Sequence, residues 1–144
     1  MRSRIPNSEL DLLSQVPLFA NCSRKELREI ANLGTPVDAA RGTILTDEKE
    51  TGSEFFLLLD GEAVCKVRGR TTAVRNAGDY FGELSLLDGG PRTATITTTK
   101  DSRLLVFNRR EFGALLRSSP SIALKLLSNL SMRLRESEAK ATTH

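Results

Sequence analysis

The segment YFGELSLLDGGPRTATI, residues 80–96, holds one glutamate and one arginine, Glu83 and Arg92, nine positions apart among apolar, glycine and hydroxyl-bearing residues. Arginine presents a planar fork of donors that matches anionic oxygens such as those of a phosphate. A carboxylate only accepts hydrogen bonds, so Glu83 has no role on a phosphate, whereas a sugar hydroxyl can donate to it. Gly82 carries no Cβ and lets a bound group approach the backbone. The run ELSLL fits a single helical turn whose free N–H groups suit an anion, and DGGP then bends the chain so that Arg92 returns to that end. Thr93 adds a hydroxyl directly after the arginine. Phosphate and sugar hydroxyl in one small cup describe a nucleotide, and one arginine suits a single phosphate charge. A triphosphate calls for a P-loop lysine or magnesium ligands, and neither pattern occurs. On spacing alone a second arrangement stays open: Glu83 and Arg92 paired with each other as a partly buried salt bridge at a glycine-rich loop.

The remaining composition narrows the chemistry. Among 144 residues there is one histidine, the terminal His144, and there are two cysteines, Cys22 and Cys65. A cluster of histidine ligands and a histidine-based nucleophile pair are both excluded. Two distant cysteines cannot hold an iron–sulfur cluster alone, nor make a disulfide framework. They read as free thiols of a reducing cytoplasm, and no metal or cofactor is expected. Lysines and arginines number 21 against 18 acids, a net charge of +3, and they are scattered rather than gathered into the stripe of a nucleic-acid module. No stretch approaches the ~20 apolar residues of a membrane span, and MRSRIPNSEL carries no signal-peptide core. The expected location is cytoplasmic.

The elements that must position this segment follow from periodicity. NSELDLLSQV reads as a short helix capped by Asn7 or Ser8 and stopped before Pro17. SRKELREIANL carries a capping box, Ser23 with Glu26, and closes at Gly34. From residue 36 to 107 the helical period is lost. GTILT, EFFLLLD, EAVCKVRG, TTAVRNAG, TATITTT and SRLLVF are short and β-branched or apolar, separated by turn residues, as in an antiparallel sandwich or barrel. Asp60-Gly61 predicts a hairpin turn. Helix returns at NRREFGALLRS, with Asn108 and Glu111 as a second capping box, and Pro120 opens a final helix behind Ser119. Fraying is expected after Glu136. The fold class is α+β, mainly β: an antiparallel β-roll, or jelly-roll-like barrel, with N-terminal helices and a long C-terminal helix.

FGELSLLDGGPRTAT resembles the phosphate-binding cassette of the cyclic nucleotide-binding domain family, found in catabolite activator proteins, cyclic-nucleotide-dependent kinases and gated channels. The family pattern runs F-G-E-(L/I)-(A/S)-L-L, a short loop, then P-R-(T/S/A)-A-T. Weaker likeness extends over roughly residues 10 to 140. The resemblance implies one cyclic nucleotide-binding domain: an N-terminal helical segment 1–35, a β-roll 36–107 with its cassette at 78–95, and C-terminal helices 108–144. It implies Arg92 on the exocyclic phosphate oxygens and Glu83 on the ribose 2′-hydroxyl. Gly82, Leu84 and Ser85 supply backbone or hydroxyl donors, and Thr93 a hydroxyl at the phosphate. The implied ligand is cAMP, with cGMP as the alternative. The pattern departs at Glu48-Lys49, where the family often has a glycine after the glutamate, so the turn there is expected to differ.

In the last helix, Ala123, Leu127, Leu130, Leu134, Ser137 and Ala141 recur at spacings of four and three, a heptad seam that suits a two-fold dimer, as in the catabolite activators. A plain amphipathic helix packed on its own domain is the alternative, and Ile122 and Leu126 lie on a neighbouring face suited to cover the roll. Ser137 falls where activator-like members present a hydroxyl to the adenine ring, so it is the expected base contact. The resulting expectation is a non-enzymatic regulatory sensor that couples ligand binding to the position of the final helix and signals to an unknown downstream protein. As a chain without a helix-turn-helix it makes no nucleic-acid or membrane contact of its own. Two alternatives are the regulatory piece of a DNA-binding activator and a degenerate roll acting only in protein contacts.

Overall fold

The computed structural model describes residues 7–142. Its organising element is β3 (Glu54–Asp60), whose five consecutive apolar residues Phe55–Leu59 are all buried. A strand apolar at every position must be covered on both faces. Phe55, Leu57 and Leu59 face a core shared with the helices, whereas Phe56 and Leu58 face the interior of the roll.

Two four-stranded antiparallel sheets form that roll. One runs β1 (Thr35–Ala39), β8 (Ser102–Asn108), β3 and β6 (Tyr80–Phe81). The other runs β2 (Ile44–Thr46), β7 (Thr95–Thr98), β4 (Glu62–Val67) and β5 (Arg70–Asn76). The six strand segments read from the sequence all contain a strand, and β3 coincides with EFFLLLD at both ends. A turn does fall at Asp60-Gly61, but it is not the predicted hairpin: β3 pairs with β6 and β8 and β4 with β5 and β7, so the chain crosses there from one sheet to the other. Two strands escaped periodicity. In β1, four of five residues are exposed and one is Pro36, so it shows no alternation; as an edge strand it pairs only with β8. β6 is two residues long and exists because Phe81 and Tyr80 pair with Phe56 and Leu57. That pairing anchors the start of the cassette to the central strand.

The helices form a layer over the outer face of β3. They are α1 (Asn7–Ser14), a 3₁₀ turn (Pro17–Phe19), α2 (Arg24–Leu33), a six-residue α3 (Glu83–Asp88) between the strands, α4 (Arg109–Ser118) and α5 (Pro120–Thr142). Which of Asn7 and Ser8 caps α1 lies outside the described side chains. Both capping boxes form. Ser23 Oγ accepts from the Glu26 N–H at 3.1 Å while the Ser23 N–H donates to Glu26 Oε1 at 3.0 Å, and Asn108 and Glu111 repeat the exchange at 2.8 and 2.9 Å. Such caps are worth about 1 kcal/mol each.

α5 is held at its start. Ile122 and Leu126 are fully buried in the helical core, in the covering role read from the sequence. Beyond Leu130 every residue of α5 whose side chain is described is exposed, and the helix continues to Thr142. Of the heptad positions, Ala123 and Leu130 are half-buried, whereas Leu127, Leu134 and Ser137 are exposed. The side chain of Ala141 lies outside the described residues.

Candidate functional site

The chain enters the cassette from β6 and turns at Gly82, which adopts φ +95°. A Cβ there would meet the Glu54 carbonyl oxygen at 2.6 Å and Arg92 Nη1 at 2.8 Å, so both conformation and space require glycine. α3 follows, with no side chain capping its first turn. At its other end the Leu86 carbonyl accepts from Arg109 Nη1 of α4 at 3.2 Å. The returning loop is tied down as well: the Arg92 N–H donates to the Glu50 carbonyl at 2.9 Å, and Thr51 bridges to Pro91.

Arg92 is 7% exposed. Its Nη1 donates to the Gly82 carbonyl at 3.0 Å and its Nη2 to the Glu54 carbonyl at 2.8 Å, while the guanidinium stands 5.7 Å from the centre of the Phe56 ring. Burial pushes its pKa down, and the nearby charges of Glu54 and then Glu83 oppose that shift. Arginine stays charged under such a bias. The floor beneath it is Gly52, where a Cβ would stand 1.7 Å from Arg92 Nε. Gly52 is thus a site residue that the sequence did not single out. In this chain the glycine of the loop comes four positions after Glu48, and the loop turns instead through the Glu50 N–H to the Asp47 carbonyl at 3.0 Å.

Glu83, the first residue of α3, is 3% exposed. It does not pair with Arg92. Its Oε1 accepts from Arg133 Nη1 of α5 at 3.1 Å, and its Oε2 is buried with no partner. The salt bridge left open by spacing alone is therefore absent, and a residue fifty positions away takes its place. A second link joins α5 to the cassette, from Asn129 Nδ2 to the Tyr80 hydroxyl at 2.7 Å. Desolvation is the main cause raising the Tyr80 pKa, so the phenol stays protonated at neutral pH.

These groups surround a cavity of about 60 Å³. Gly82, Glu83, Leu84, Ser85, Arg92 and Thr93 all line it, with Ser85 buried and Thr93 at the exposed rim. Ser137 does not line it. It lies one turn beyond Arg133 and is exposed. Residues four apart share a helix face, so Arg133 was discoverable as the long basic side chain one turn before Ser137. Arg75 of β5 also reaches the cavity and carried no motif to announce it. Ligand cavities commonly measure about 300–1,000 Å³, so a nucleotide needs more room than the present arrangement leaves. A second space of about 300 Å³ adjoins it, and Arg75, Tyr80 and Arg133 line both.

Among the described residues no cluster of metal-ligating side chains occurs, and no helix is long and apolar enough to cross a membrane. The site combines a buried guanidinium, a buried carboxylate with a free oxygen and a glycine-lined approach. Such parts can hold a phosphate and a sugar hydroxyl side by side.

Comparison with known proteins agrees with this geometry. The family described as "Cyclic nucleotide-binding domain" matches residues 36–119. The cAMP-dependent protein kinase regulatory subunit of Mycosarcoma maydis is 37% identical over 106 residues, 69% of this chain and 20% of that protein. The CRP-like cAMP-activated global transcriptional regulator of Mycobacterium tuberculosis is 29% identical over 87% of this chain and 58% of its own length. This chain thus spans only part of either relative. The crystal structure of the Thermus thermophilus catabolite activator protein superposes with a TM-score of 0.80 at 28% identity, over 87% of this chain and 61% of that one. With the roll, the cassette and its two charged residues in place, the chain belongs to the cyclic nucleotide-binding domain family.

Proposed function

We propose that this chain is a cytoplasmic receptor domain, not an enzyme, that takes cAMP into the cavity between the cassette and α5 and reports it through α5. The observation that carries the proposal is that a desolvated Arg92 and a buried, half-satisfied Glu83 line one cavity without pairing with each other. The phosphate would compete with the Gly82 and Glu54 carbonyls for the Arg92 fork, and the ribose 2′-hydroxyl would donate to the free oxygen of Glu83. Ser85 and Thr93 offer hydroxyls, and Gly82 and Leu84 backbone donors, around the phosphate.

Because the cavity is small and Arg133 already holds Glu83, admitting a nucleotide requires the exposed half of α5 to move. That requirement is the proposed signal. A base contact from Ser137 likewise requires α5 to close over the bound ligand. The names of the kinase and activator relatives support cAMP, and cGMP is proposed as the weaker ligand. Calorimetric titration should give tight binding of cAMP and about tenfold weaker binding of cGMP, equivalent to ~1.4 kcal/mol. No heat with either nucleotide would overturn the assignment.

A second copy of the chain is the proposed partner for the exposed face of α5. Leu127 and Leu134 are 59% and 61% exposed at heptad positions, and a seam of that spacing suits a parallel helix pair. Sedimentation equilibrium showing only monomer at all concentrations would remove this element. A role as the regulatory piece of a larger protein, with its own downstream partner, is supported by the partial coverage of the relatives.

A further inference from the structure

Two buried side-chain polar atoms among the described residues lack any hydrogen-bond partner: Glu83 Oε2, an acceptor, and Arg75 Nε, a donor. Both residues line the same cavity. Orphaned buried polar groups are uncommon, and each calls for a physical reason. Here the two complement each other, yet no ion pair joins them, so their charged atoms stand more than 4.0 Å apart.

The position of Arg75 is itself unusual. It lies opposite Ala63 in the β4–β5 ladder, and Ala63 is fully buried within the roll. Opposed residues of an antiparallel pair share a face, so Arg75 is an arginine on the inward face of a strand. The small Ala63 leaves room for it. Arg75 also lines the adjoining space with Tyr80 and the α5 residues Asn129 and Arg133, whereas Arg92 does not.

A group that satisfies both orphans must donate to Glu83 and accept from Arg75. A hydroxyl does both, and one hydroxyl bridging two partners spans about 5–6 Å between them. We propose that Arg75 is a ligand-binding residue that donates to the same ribose 2′-hydroxyl whose proton Glu83 accepts, so that this chain reads that hydroxyl from two sides. The proposal rests on the assignment of the cavity to a cyclic nucleotide and adds a specificity element to it. It makes the site demand a ribonucleotide more strongly than a lone carboxylate does.

The test is a cycle of one substitution and one ligand change: cAMP and 2′-deoxy-cAMP titrated into the unmutated chain and into Arg75→Met, which keeps the apolar stem and removes the donors. Arg75→Met should weaken cAMP by about tenfold, as expected for a hydrogen bond from a charged donor, and change 2′-deoxy-cAMP by less than about twofold. Equal weakening of both ligands would mean that Arg75 acts on the fold or the base and would overturn the proposal. No weakening of cAMP would overturn it too. A loss that tracks a change from cAMP to cGMP instead of the missing hydroxyl would assign Arg75 to the base and sink the hydroxyl contact. Failure of the unmutated chain to bind either ligand is a different result, which removes the receptor assignment itself and this proposal with it. Circular dichroism of Arg75→Met, expected to be unchanged, separates lost binding from lost fold.

Discussion

Arg92 and Arg133 both line the cavity from different elements, and they are held very differently. Arg92, on the cassette, is 7% exposed and fixed by two backbone carbonyls over a glycine floor. Arg133, on α5, has a side chain 45% exposed and makes one bond, to Glu83. Taking Arg92 from its two carbonyls strands a buried charge, which costs several kcal/mol, whereas the half-exposed Arg133 regains water when it leaves Glu83. On the proposed reading the cassette is a preorganised binder and the far half of α5 a releasable cover. Binding strength and signalling would then sit on separate elements that meet at one carboxylate.

The comparison breaks most readily at Arg92. Arg92→Ala should weaken cAMP binding by about 30-fold to several thousand-fold, the ~2–5 kcal/mol expected for a desolvated phosphate left unpaired. It should also lower the melting temperature, because the Gly82 and Glu54 carbonyls lose their donors. Calorimetry showing unaltered affinity would place the phosphate elsewhere.

Gly52→Ala tests the same preorganisation without touching a ligand contact. Its Cβ would force the Arg92 side chain to shift, so affinity should fall by at least about tenfold, ~1.4 kcal/mol. Unchanged binding would mean that Arg92 needs no fixed floor.

Glu83→Gln sharpens the boundary between the two elements. The amide retains one acceptor but gives up the charge that holds Arg133, so cAMP binding should weaken by about five- to tenfold, ~1–1.4 kcal/mol. In the ligand-free chain, amide exchange across residues 130–140 should accelerate while β3 and β8 stay protected. An unperturbed α5 would show that the Asn129–Tyr80 bond alone secures it.

The smallest change in affinity belongs to Arg133→Met. Arg133 supports Glu83 in the free chain, so removing it should alter the cAMP dissociation constant by less than about fivefold, ~1 kcal/mol. The ligand-dependent change in α5 exchange should nevertheless disappear, because α5 is no longer tied to the carboxylate that the ligand contacts. A large loss of affinity would make Arg133 a binder rather than a cover and erase the distinction.

How much was legible depended on distance along the chain. The cassette reads from sequence because its parts are contiguous: the glycine turn, the helical turn, the bend and the arginine lie within residues 82–92. The same holds for β3, whose unbroken apolar run announces burial on both faces, and for both capping boxes, which close over three residues. Ser137 shows the limit. Counting along a helix finds the right element, but where its face meets the roll depends on how Ile122 and Leu126 dock, and docking brings Arg133 to the cavity instead.

The sequence by itself determined six strand segments, a turn at Asp60-Gly61, both capping boxes, the covering role of Ile122 and Leu126, and the cassette with Glu83 and Arg92. Each depends on local periodicity, turn chemistry or a contiguous motif. Tertiary structure alone decided that Glu83 bonds Arg133 across fifty residues, that Gly52 is the floor of Arg92, that Arg75 faces inward opposite Ala63, and that Thr35–Ala39 completes a sheet edge. Those contacts join segments whose neighbours are set by sheet order and helix docking. A side chain's type limits what it can bond, but only the packed fold chooses which distant partner stands within reach.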